Sequence, residues 1–157
     1  MIGYPTYPTS NVFIFPWVGD EIIEWDEYGN ITWSWNTFEH LNWLEDYDLL
    51  GDLWLEAYQM GRHDWTHSNA IFYDEVDNAV YLSVRHLSRI IKIDYTTGNI
   101  IWSMGKEFLP EIIDFGQDLE FSYQHAIRLL DNRNLMMYDN GNYNNPEISR
   151  CIEVEVN

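Results

Sequence analysis

Two histidines and an arginine are the residues best placed to do chemistry in this chain. His67 opens the stretch HSNAIFYDEVDNAVYLSVRH, residues 67–86, and Arg85 stands near its end. Two apolar runs, Ala70–Tyr73 and Ala79–Val84, flank the acidic turn Asp74–Asn78, so the stretch reads as a β-hairpin. A hairpin returns its ends to the same side of a sheet, which predicts that His67 and Arg85 lie near each other. Asn69 follows His67 by two residues and is expected on the same side of the strand. His125 opens a comparable stretch, QHAIRLLDNRNLMMYDN, and is expected at the place equivalent to His67. Asn140, within the turn-like run Asp139-Asn140-Gly141-Asn142, ends that stretch where Arg85 ends the earlier one.

Two imidazoles, a guanidinium and an amide suit a tetrahedral oxyanion such as a sulfuryl or phosphoryl group. A planar guanidinium can pair with two oxygens at once, and a neutral imidazole can attack to form a covalent intermediate. A metal is not expected, since Arg85 would repel a cation and no carboxylate joins the histidines by spacing. No cofactor is implied. Each residue also has a structural explanation. A single strand histidine is commonly a packed or rim residue, Arg85 could pair with Asp74 or Asp94, and Asn69 could bond backbone. His63 and His86 read as structural, and His40 is open to either role. Trp25, Trp33, Trp35 and Trp102 read as packing. The chain has no GxxxxGK, GxSxG, HExxH or CxxC motif, which excludes nucleotide-loop transferases on this segment.

Composition narrows the partners. The 157 residues carry 26 acidic groups against eight Lys plus Arg, a formal charge of −18. Phosphate backbones and anionic membranes need a basic surface, so nucleic acid and membrane partners are not expected. No run is long enough to span a bilayer. With one cysteine, Cys151, no internal disulfide or cysteine metal site can form. Its setting, SRCIEVEV, predicts a packed thiol on a strand. No signal peptide is visible at MIGYPTYPTS.

The positioning elements repeat. Residues 22–35, IIEWDEYGNITWSW, and 90–104, IIKIDYTTGNIIWSM, share an I-I-x-φ-D-turn-G-N-I-x-W-S-φ pattern, where φ is apolar, and CIEVEV at 151–156 begins a third copy. Each copy predicts a hairpin about a Gly-Asn turn. Adding the upstream halves gives four antiparallel strands per unit, at 67–73, 79–85, 89–95 and 99–104. A recurring four-strand unit is the mark of a β-propeller blade, with a β-sandwich as the alternative. The expected class is all-β, a partial β-propeller of about two and a half blades with a short helical insert. The expected organisation of the single domain 1–157 is an incomplete blade at 11–36, a helical or loop insert at 37–66, a complete blade at 67–105, a connector at 106–122 and an incomplete blade at 123–157. Leu41, Leu44, Leu49, Leu50, Leu53, Leu55 and Met60, with Trp43 and Trp54, predict one or two amphipathic helices in the insert, with Gly51 and Gly61 as stops. Propellers close with about four to eight blades. The rest of the ring is therefore expected from a longer chain or from self-association.

These residues also carry a family likeness. DWTHSNAIFYDEVDNAVYLSVRHLSRIIKIDYTTGNIIWSMG, then FSYQHAIRLLDNRNLMMYDNGN, then SRCIEVEV, resembles the arylsulfotransferases that work without a nucleotide sulfate donor. The resemblance implies a six-bladed propeller and a ping-pong reaction between aryl sulfates and phenols through a sulfohistidine. By position it makes His125 the sulfurylated residue, with His67, Asn69 and Arg85 around the sulfuryl group. A further histidine from an earlier blade is implied, and His40 follows the wrong strand for it. Family members are often exported, which implies a periplasmic or extracellular setting. The competing readings are a non-catalytic propeller binding module, an inactive fragment, and a metal-dependent hydrolase using His67 and His125.

Overall fold

A computed structural model describes residues 2–3, 16–42, 53–105 and 121–156. The chain divides into two compact units, Met1–His67 and Ser68–Asn157. The described structure is mainly β, with strands far exceeding helix and arranged mostly in antiparallel sheets.

The first unit holds β1 (Ile2–Gly3), β2 (Trp17–Val18), β3 (Glu21–Trp25), β4 (Ile31–Asn36), α1 (Thr37–His40), α2 (Leu53–Met60) and β5 (His63–Asp64). β3 and β4 form the expected hairpin, paired from Glu21↔Asn36 to Trp25↔Ile31. The strand ending at Val18 was expected in the same sheet as this hairpin, but its described residues Trp17 and Val18 pair elsewhere. β2 lies between β1 and β5, parallel to β5, so both its edges are taken. Among the described residues the hairpin forms a two-stranded sheet of its own. α1 is capped by Asn36, whose side chain accepts from the Phe38 N–H at 2.9 Å. Gly61, at φ +66°, follows α2 as expected of a stop. Leu55 and Met60 of α2 are exposed rather than packed. Trp43, Leu44, Leu49, Leu50 and Gly51 lie outside the described residues, as does most of the 106–122 connector.

The second unit carries β6 (Ser68–Asp74), β7 (Ala79–Val84), β8 (Arg89–Asp94), β9 (Ile100–Gly105), β10 (His125–Leu129), β11 (Leu135–Asp139) and β12 (Arg150–Val154). β6 to β9 form a four-stranded antiparallel sheet in sequence order, and β10 to β12 a three-stranded one. One face of each packs on the other. Ala79, Tyr81, Ile90, Trp102 and Met104 meet Ile127, Leu135, Met137 and Val154, with Phe121 between them. Every residue of β7 is buried.

The repeated Asp-turn-Gly-Asn sequence has a local cause. Asp26 and Asp94 each fold the turn over their own carboxylate. Asp26 Oδ1 accepts from the Tyr28 and Asn30 N–H groups, and Asp94 Oδ1 from the Thr97 N–H. In both, the aspartate N–H donates 2.9 Å to the carbonyl of the turn's asparagine. Gly29 and Gly98 take φ +83° and +73°, where a side chain would be strained. Equal turns do not give equal burial, however. Trp25 is 60% exposed, whereas Ile93 at the same place in the second copy is fully buried. Of the tryptophans read as packing, Trp35 and Trp102 are buried. Cys151 is exposed, not packed. Strand alternation puts it on the outer face with Glu153, while Val154 faces the core.

The two sheets are pinned by a charged contact. Arg133, in the β10–β11 turn, places Nη1 and Nη2 3.0 and 2.5 Å from the two oxygens of Asp74, at the end of β6. Asp74 is buried. Hydrogen bonding from Arg133 holds its carboxyl below the ordinary 3.8, against the opposing effect of burial. A depressed folded-state pKa adds stability above the unfolded value and loses it as pH falls through the folded one. Asp74→Asn is expected to cost about 2 kcal/mol near neutral pH, since the pair is half-exposed on the arginine side. The gap from the parent chain should close as pH drops below 3.8, read by denaturant melts across pH. A constant gap would separate Asp74 from this titration.

Candidate active site

The strands that open the two sheets of the second unit share an irregularity. In β6 the register shifts between Ser68 and Ala70, because Asn69 is the extra residue of a bulge opposite Ser83 and Val84. In β10 the register shifts between His125 and Arg128, and Ala126 takes φ +54°. A bulge frees its extra residue from the ladder and re-aims side chains at a sheet end. It also defeats counting by two. The first ladder pairs are Ser68↔Val84 and His125↔Tyr138. His125 thus lies within its ladder, whereas His67 lies outside its own. Asn69 is likewise not related to His67 by regular alternation. His67 has φ +47° and precedes the strand.

His125 is half-buried. Its Nδ1 is sealed from solvent with no hydrogen-bond partner, so the ring offers its Nε2 edge. No carboxylate among the described residues orients it. The approach to His125 is tied down on both neighbouring strands. The Asn69 side-chain amide donates 2.8 Å to the carbonyl of Gln124, keeping its second N–H. Arg85 opens a short 3-10 turn, Arg85–Leu87, and its guanidinium lies 4.7 Å over the Tyr123 ring, two residues before His125. Arg85 Nη1 donates 2.5 Å to His86 Nε2, which fixes the fork's rotation. A guanidinium only donates, so His86 accepts there and carries its proton on Nδ1. The carboxylates considered for Arg85 are engaged elsewhere: Asp74 binds Arg133, and Asp94 closes its own turn. Asn69, Arg85 and His125 therefore converge on the segment 123–125.

The other expected residues sit differently. His67 Nδ1 lies 2.5 Å from Asp64 Oδ2. A carboxylate thus does join one histidine, contrary to the reading by spacing. The left-handed turn at His67 folds its ring back over three residues. Asn140 lies two residues beyond Tyr138, the ladder partner of His125, and its carbonyl accepts from Ser149 Oγ at 3.0 Å. Its neighbour Asp139 is fully buried and accepts from the Ser122 and Gly141 N–H groups and from Arg150 Nε. His63 and His86 are buried, His63 against Trp17. His40 stacks on Trp35.

The sequence reading took His86 as structural only and did not single out Tyr123 or Gln124. Their signal was adjacency, in SVRH and SYQH, to residues already singled out. Tyr123 is nearly buried, at φ +52°, and its hydroxyl accepts 3.0 Å from that of Tyr143, which is at the surface.

The described structure is mainly β, and in it a guanidinium and an amide are held against the segment that carries the half-buried His125 imidazole. A family model supplies the identification. The arylsulfotransferase (ASST) model matches residues 10–157, and the chain belongs to that family. No curated protein matches the chain.

Proposed function

We propose that the chain is part of a β-propeller aryl-sulfate sulfotransferase that works through a sulfohistidine on His125. The observation that carries the reading is the half-buried His125, with its Nδ1 sealed, two residues after the Tyr123 ring over which the Arg85 guanidinium is fixed. Membership of the arylsulfotransferase family supports sulfuryl transfer as the reaction.

In the proposed first half-reaction the His125 Nε2 lone pair attacks sulfur of an aryl sulfate ester. The N–S bond forms, the bond from sulfur to the aryl oxygen breaks, and the phenolate leaves with that electron pair and takes a proton from solvent. In the second half-reaction an acceptor phenol gives up its proton to solvent and its oxygen attacks sulfur. The N–S bond breaks and the lone pair returns to Nε2. Arg85 and the second amide N–H of Asn69 bind the sulfuryl oxygens. Each such donor is worth about 3 kcal/mol in the transition state. Assignment of His67 and Asn140 to the same group rests on the family resemblance and the repeat position, respectively. No metal or cofactor enters the scheme.

Incubation with 4-nitrophenyl sulfate and no acceptor is expected to release one equivalent of 4-nitrophenol and add the mass of SO₃ to the peptide containing His125. Adding a phenol should remove it. Steady turnover without a labelled His125 would replace this mechanism with direct transfer. Binding of the ester with neither release nor label would favour a binding module.

A further inference from the structure

We infer that Gln124 is the positioning residue for His125, an inference that rests on the reading of His125 as nucleophile and deepens it. Gln124 is fully buried. Its side-chain amide nitrogen lies 3.0 Å from Ser83 Oγ on β7 and 2.8 Å from the carbonyl of Arg89 on β8, with the Val84 carbonyl at 3.4 Å. Its backbone carbonyl accepts from Asn69, the bulge residue of β6. That carbonyl belongs to the peptide group that carries the His125 nitrogen. The entry to His125 is thus held by three strands of the neighbouring sheet.

The surrounding backbone shows why such a hold is needed. Tyr123 and Ala126 bracket the Gln124–His125 pair at φ +52° and +54°. Left-handed non-glycine residues are strained and persist only where the surroundings over-determine them. Gln124 is the over-determining contact. Few side chains could replace it. The site needs two N–H donors at the end of a long arm, aimed at a hydroxyl and a carbonyl. A glutamate would set a carboxylate against the Arg89 carbonyl, and a shorter asparagine would not reach two strands. The backbone on either side of His125 would then be free to relax, swinging the imidazole out of line with sulfur. A misplacement of about 1 Å costs on the order of a hundredfold in rate.

The test is Gln124→Met, which keeps the volume and removes both donors. Two measurements are made on the full chain: the His125 ring resonances by NMR, and the single-turnover rate of sulfuryl capture from 4-nitrophenyl sulfate. The expected result is a displaced or doubled His125 signal. Capture should slow by about tenfold or more, with KM for the ester near that of the parent. An unmoved His125 signal together with unchanged capture overturns the inference, as does a rise in KM alone. If the parent chain captures no sulfuryl group on His125, the nucleophile reading fails, and the NMR signal alone still decides whether Gln124 positions the ring. Should Gln124→Met not fold, Ser83→Ala removes one of the two main acceptors and leaves the Arg89 carbonyl. It should displace the same signal by a smaller amount, and an unmoved signal there counts against the inference equally.

Discussion

A His125→Ala chain is expected to lose sulfuryl transfer between phenols by on the order of 10⁴-fold or more, the scale on which nucleophile deletions fall. The size of the effect follows from the scheme. Without Nε2 there is no atom to hold the group between donor and acceptor, and the ping-pong pattern should vanish with the rate. Folding should change little. His125 is half-buried at the start of its strand, and its buried Nδ1 has no partner to lose. The measurements are steady-state transfer from 4-nitrophenyl sulfate to a second phenol, the burst of 4-nitrophenol, and a thermal melt. Retained transfer in a folded His125→Ala chain would remove His125 from the reaction and turn attention to another residue of the segment. His125→Gln serves as the closer control, since it keeps a polar side chain of similar size but has no comparable nucleophile.

Much of the architecture was legible because it is local. The strands at 68–105 follow from apolar runs bounded by turn residues, and the Gly-Asn turns from the aspartate that each turn folds over. What did not follow was anything that depends on which face is covered. Trp25 and Ile93 hold the same repeat position, yet one is exposed and the other buried. A sequence pattern describes one strand's faces but not its neighbours. The short parallel pairing of β2 with β5 joins residues far apart in sequence, with no periodicity to announce it.

In the candidate site the residue types were legible and their aim was not. Asn69, Arg85 and His125 were readable from their positions at strand ends. The bulges at Asn69 and after His125 shift the register by one residue each, so counting could not give the direction of the side chains. The partners were harder still. The structural alternative for Arg85 was a carboxylate, Asp74 or Asp94, but the side chain lies on Tyr123 and binds His86. A sequence with 26 acids makes a carboxylate the natural guess. The 3-10 turn after β7 instead brings the next residue's ring to the guanidinium.

That geometry makes Arg85 the second large test. Arg85→Lys keeps the charge, and if charge alone mattered it would be nearly silent. The structure predicts otherwise. The guanidinium is planar, lies over the Tyr123 ring, and gives one N–H to His86 while its other N–H groups have no partner among the described residues. An ammonium cannot lie flat on the ring, bind His86 and present a fork to two sulfuryl oxygens together. Arg85→Lys is expected to lower kcat/KM by about 10²–10³-fold, in the range of a lost oxyanion donor. The fall should be mainly in kcat, because charge on the sulfuryl oxygens changes most in the transition state. Arg85→Ala should fall at least as far, and it should also free His86 and Tyr123 to move, seen as a change in tyrosine fluorescence. Single-turnover and steady-state kinetics with 4-nitrophenyl sulfate separate the two parameters. A lysine variant with near-parental kcat would mean that Arg85 supplies only a diffuse positive charge. The stacking on Tyr123 would then serve the fold of the 121–125 segment rather than the transferred group.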